Sequence, residues 1–78
     1  MEVYTFSTGD IYLEKLSKTK QGVKDLLKPY VEEYYLDNSQ EVVDISILDN
    51  YLIKVTIYDN DLEDRFVKEF DLVSFSVF

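Results

Sequence analysis

Within residues 19–37 the apolar side chains fall at Val23, Leu26, Leu27, Tyr30, Val31 and Tyr34, the i, i+3, i+4, i+7 spacing of a single helix face. This is the strongest periodic signal in the chain, and it predicts an amphipathic helix laid on a sheet. Pro29 interrupts it, with Asp25, Glu32, Glu33 and Leu36 mostly opposite the stripe. Two readings are open there. A kinked helix can carry the proline on its solvent side, where the freed carbonyl reaches water. Alternatively one helix ends near Lys28 and a second begins with Pro29 at its first position, with Glu32 and Glu33 near its positive end.

Period-two patterns flank this segment. Glu2–Ser7 alternates loosely and reads as a short strand. Over residues 10–17 either Asp10 caps a two-turn helix bearing Tyr12, Leu13 and Leu16, or a hairpin leads into a strand; the helix is the preferred reading. Residues 42–48 and 51–58 are strands sharing an odd apolar phase, Val43, Ile45 and Ile47 against Tyr51, Ile53, Val55 and Ile57. A three-residue loop of Leu48, Asp49 and Asn50, with Asn50 left-handed, would align Ile47 with Tyr51, Ile45 with Ile53 and Val43 with Val55. A four-residue loop, residues 60–63, then leads to a strand of even phase carrying Phe66, Phe70 and Leu72. It pairs Ile57 with Phe66 and Ile53 with Phe70, and sets Lys54 beside Glu69 on the other face. After Leu72 the phase flips to Val73, Phe75 and Val77, which suggests a bulge or bend. This apolar last strand needs a neighbour, either the N-terminal strand or a second copy of the chain.

The pattern thus predicts an α+β fold, an antiparallel meander of three to four strands with helices from residues 10–37 on one face. Its other face, with Lys54, Thr56, Tyr58, Val67 and Glu69, is left wet or free to bind. At 78 residues a single domain is expected, because so short a chain buries only about 60% of its unfolded surface. Composition narrows the chemistry further. There is no Cys and no His, which removes disulfides, thiolate nucleophiles, the usual near-neutral acid/base and the commonest zinc ligand. No Gly-rich phosphate loop or metal motif occurs, so neither an enzyme nor a cofactor is expected. The N-terminus lacks a basic, apolar leader and no apolar run approaches a membrane span, so a cytoplasmic location and no membrane contact are expected.

Charge adds a direction. The 16 acidic and 8 basic residues give a net charge of -8. Its parts are -3 over residues 1–14, +4 over residues 15–28 (Lys15, Lys18, Lys20, Lys24 and Lys28 against Asp25) and -9 over residues 29–78. Net acidity disfavours direct nucleic-acid binding and favours a basic partner surface. Two acidic clusters stand out. Glu32, Glu33 and Asp37 surround Tyr35, read as an exposed aromatic beside the core residues Tyr30 and Tyr34. Asp59, Asp61, Glu63 and Asp64 crowd a hairpin tip that begins like a calcium loop but has Asp64 where that loop needs Gly and Phe70 where it needs Glu. Solvation alone would also account for such a tip.

In size and acidity the whole chain resembles the small inhibitors that phages encode against bacterial restriction and CRISPR defences, some of which look like DNA by charge. The resemblance implies a protein-binding inhibitor in the host cytoplasm that occupies a basic, nucleic-acid-binding surface. The +4 segment departs from the continuous negative surface of a DNA mimic. The eight residues Glu32, Glu33, Tyr35, Asp37, Asp59, Asp61, Glu63 and Asp64 are the candidate contacts. The alternative is a self-associating structural or adaptor module, a homodimer joined through residues 73–78.

Overall fold

The computed structural model describes residues 1–7 and 16–77. Its elements are β1 (Glu2–Ser7), α1 (Val23–Tyr34), β2 (Gln40–Ile47), β3 (Leu52–Asp59) and β4 (Asp64–Ser76). The strands form one curled antiparallel sheet in the order β1-β4-β3-β2, and α1 covers one face. The fold is α+β. Its last three strands form the expected meander, and the N-terminal strand joins beside β4 rather than in sequence order. The helix-or-strand choice at residues 10–17 lies almost wholly outside the described residues. Ser17 alone is informative, bridging Tyr4 with its N–H and carbonyl at 2.8 and 2.7 Å.

α1 begins later than its periodicity suggests because a tight turn precedes it. The Val23, Lys24 and Asp25 N–H groups donate to the carbonyls of Lys20, Gln21 and Gly22, and Gly22 N–H donates to Thr19 Oγ1 at 3.0 Å. The helix then runs unbroken through Pro29, which decides between the two readings of that proline. Both Pro29 and Asp25 are exposed, so the carbonyl left without a donor meets water. Pro29→Ala restores that bond in an already helical backbone and is expected to stabilise the fold by about 1–2 kcal/mol, read as a higher urea midpoint at unchanged slope. An unchanged or lower midpoint would show that the proline is not strained.

The stripe buries Val23, Leu27 and Val31 completely against Ile53, Val55 and Ile57 of β3, with Phe6, Phe70 and Leu72 closing the cluster. β3 is the central strand of this contact, and the β3–β4 register is the one its pattern predicts: Ile57 opposite Phe66, Ile53 opposite Phe70 and Lys54 opposite Glu69. Opposite parity and an even loop leave few alternatives there.

The β2–β3 hairpin differs from expectation. Ile47 pairs with Ile53 and Ile45 with Val55, so the loop is Asp49, Asn50 and Tyr51, closed by Leu48 N–H to Leu52 O at 2.8 Å. Tyr51, not Asn50, is left-handed, with φ 58°. The loop length is as expected but shifted by one residue, which sets branched Ile against Ile instead of against tyrosine. The left-handed backbone is unfavourable for tyrosine. It is held by Leu72 N–H donating to Tyr51 O at 2.9 Å and by Lys20 Nζ 4.7 Å over the ring. A register shift between Val42 and Asp44 follows, so Val42 packs on the core while Val43 is 46% exposed, reversing the roles expected of them.

β4 holds one continuous register, Leu52 to Asp59 against Asp71 to Asp64 and then β1 against residues 71–76, with no bulge at Leu72. The phase flip has another cause. Phe70 and Leu72 face the α1 core, whereas Val73 and Phe75 stand opposite Thr5 and Val3 on the reverse face, and both of those β1 residues are buried. Where β4 passes from β3 to β1, the covered side of the sheet changes. Val77 N–H donates to Met1 O at 2.7 Å, so the last strand is paired within the molecule.

Candidate protein-binding surface

The turn that follows α1 and the β3–β4 tip lie at one end of the molecule. They are tied together there. Asn60 donates to Ser39 O from both its backbone N–H, at 2.8 Å, and its Nδ2, at 2.9 Å. Gln40 Nε2 donates to Asp59 Oδ2 at 3.0 Å, and Asp37 N–H donates to Gln40 Oε1 at 3.0 Å. The two acidic clusters, more than twenty positions apart in sequence, therefore form one surface.

Asp59 organises the tip from inside. It is only 6% exposed, and its Oδ1 accepts the N–H groups of Asp61 and Leu62 at 2.9 and 3.1 Å and the Ser39 hydroxyl at 3.4 Å. Donation from Gln40 is the main cause that holds its carboxyl below the ordinary carboxylate value, helped by these other donors and opposed by burial. Asp59 stands opposite Asp64, a like-charge pair that these hydrogen bonds make tolerable. A folded-state pKa below the unfolded one means that the stabilisation is complete above about pH 4 and fades as pH falls through the folded value. The stability difference between the wild type and Asp59→Asn should therefore be flat from pH 5 to 7 and narrow below pH 4. A difference that grew on acidification would contradict this.

The candidate contacts divide accordingly. Glu32, Glu33, Asp37, Asp61, Glu63 and Asp64 are all exposed, whereas Asp59, expected on the solvated tip, is a buried support for it. Tyr35 also differs. It was expected as an exposed aromatic but is half-buried, its ring 5.6 Å from Phe70 and 5.9 Å from Tyr30, under Lys68 Nζ at 4.9 Å. Tyr34, expected in the core, is 65% exposed. The reason is local: Tyr35 is the helix cap, φ -123° and ψ -7°, so helical spacing does not extend to it and the chain turns it onto the sheet. Sequence reasoning missed Leu62, 73% exposed at the centre of the acidic tip, whose only sequence signal is an apolar residue inside a turn. Leu62 is an exposed apolar side chain set among the carboxylates of the tip, and Tyr34 is an exposed aromatic packed beside Tyr30.

No family model matches this chain, and no curated protein or solved structure matches it.

Lys20 marks the opposite end. Lys18 and Lys20 are exposed, and Lys20 reaches Tyr51 in the β2–β3 loop, at the far end of β3 from the acidic tip, whereas Lys28 lines a groove with Glu32, Asp37 and Glu41. Eight strand residues separate those ends by roughly 26 Å. The Debye length at physiological salt is about 8 Å, so Lys20 is too distant to neutralise the tip carboxylates, whereas Lys28 stands beside Glu32 and Asp37, and Arg65 follows Asp64. The reverse face keeps Lys54 and Glu69 opposite each other and exposes Val67. Among the described residues no group of three acidic side chains is placed to hold a metal ion, and no helix is long and apolar enough to cross a membrane.

Proposed function

We propose that the protein is a small inhibitor that binds a basic, nucleic-acid-handling surface of a larger protein, of the kind found in host defence complexes, through its acidic end. One observation carries the reading: the hydrogen bonds from Asn60 to Ser39 and from Gln40 to Asp59 join two separate acidic segments into one surface. Exposed Leu62 and Tyr34 supply the apolar anchors that charge alone lacks. Carboxylates of this kind steer encounter with lysine and arginine and compete with phosphate for the same groups. The larger protein would be inhibited by exclusion of its nucleic acid, in the host cytoplasm, with no chemistry at the site.

Competition tests this. Immobilised protein should retain a basic nucleic-acid-binding protein from host lysate, and the purified partner should lose its nucleic acid as the inhibitor is added, in proportion to occupancy. A ternary complex that keeps both the nucleic acid and the inhibitor would refute exclusion.

A further inference from the structure

We propose that the outer edge of β2 accepts an added strand from the partner, an extended segment with Lys or Arg at alternate positions. This deepens the function proposed above and rests on it for the partner's identity, while the docking mode rests on the edge itself. β2 is the last strand of the sheet on one side. Leu48 N–H donates to Leu52 O, so by antiparallel alternation the backbone groups of Ile45 and Ile47 point away from β3. Among the described residues no backbone hydrogen bond reaches them from that side. The opposite edge is different, because both backbone groups of Tyr4 are taken by Ser17.

The charge of this edge selects its occupant. Natural edges are usually defended by lysine, proline or a bulge. β2 has a bulge near Val43, but its only charges are the exposed Glu41 and Asp44. A second copy of β2 would bring the same two carboxylates against them, which repels self-pairing. A groove of about 430 Å³ continues from the edge between α1 and β2, and three carboxylates, Glu32, Asp37 and Glu41, line it against the single cation Lys28. Alternate side chains of a strand added to β2 would point towards the helix side and enter this groove. Long basic side chains suit it, with apolar stems over Val42 and Leu36 and charged ends at the carboxylates.

The probe is an acetylated, amidated eight-residue peptide of alternating Arg and Val, titrated into the isotopically labelled full chain. Two controls go with it: a Glu-Val peptide, and the Arg-Val peptide N-methylated at alternate backbone nitrogens. The Arg-Val peptide should slow amide hydrogen exchange of Ile45 and Ile47 at least tenfold, the Glu-Val peptide should not bind, and N-methylation should abolish protection. Glu32→Gln with Glu41→Gln should weaken binding about tenfold. The proposal is overturned by absence of binding at millimolar peptide, by binding that leaves Ile45 and Ile47 unprotected, or by equal binding of the Glu-Val peptide. A peptide-free dimer that already protects both amides would also overturn it, by naming a second copy as the occupant. If the natural partner is captured and competes with nucleic acid yet leaves these amides unprotected, the edge proposal fails and the function stands. If the peptide docks as described but no such partner exists, the reverse holds.

Discussion

Leu27→Ala should cost about 3–4 kcal/mol, close to half the stability of a domain this size. Leu27 is completely buried between Val23 and Val31 on the helix stripe, in the cluster that includes Ile53, Val55 and Ile57 of β3. Removing its three outer carbons loses their transfer free energy and leaves a cavity in the layer that joins α1 to the sheet. A chain of 78 residues has roughly 4–12 kcal/mol in total. Leu26, the neighbouring position, is half-buried at the edge of the same cluster, and Leu26→Ala should cost about 1 kcal/mol. Urea unfolding of both variants gives the comparison. Equal costs would mean that the helix is rotated from the orientation described.

Asp59→Ala is the second large effect. It removes the acceptor of four hydrogen bonds, leaving the Asp61 and Leu62 N–H groups, the Ser39 hydroxyl and Gln40 Nε2 to find water. Relief of the Asp59–Asp64 repulsion offsets only part of this. For a domain of this length the expected result is a midpoint lower by roughly 10 °C, measured by circular dichroism. Asp59→Asn retains an acceptor for the turn N–H groups and should lose about half as much. Because the same carboxylate ties the tip to the Ser39 and Gln40 turn, Asp59→Ala should also loosen the joint acidic surface while removing a residue that is itself buried. A wild-type midpoint in Asp59→Ala would mean that the tip is held by other bonds.

The elements that were legible in the sequence share a property: one local rule decides each. Helix spacing places Val23, Leu27 and Val31 in the core, and parity with a four-residue loop fixes Ile57 opposite Phe66. Legibility fails where two neighbours are equivalent to the rule. Val42 and Val43 are chemically the same, so the bulge that buries one and exposes the other has no sequence signature. Asn50 and Tyr51 compete for the left-handed position; Asn has the better backbone propensity, but pairing Ile47 with Ile53 wins. Tyr34 and Tyr35 exchange roles because the helix stops between them. The acidic clusters could be read directly as charge, but their union could not, since it depends on Asn60 reaching Ser39 and Gln40 reaching Asp59.

That union is the central claim, and the affinity of the captured partner for Asp61→Asn/Glu63→Gln/Asp64→Asn, measured between 0.05 and 0.5 M NaCl, tests it most directly. The substitutions leave Asp59 in place and remove its like-charged neighbour, so the fold should be retained. Three exposed charges of about 0.5–1 kcal/mol each predict affinity about 10- to 100-fold weaker at low salt, with a salt dependence markedly shallower than that of the wild type. Equal affinity of the two proteins, with the same slope against salt, would contradict the acidic end as the binding surface.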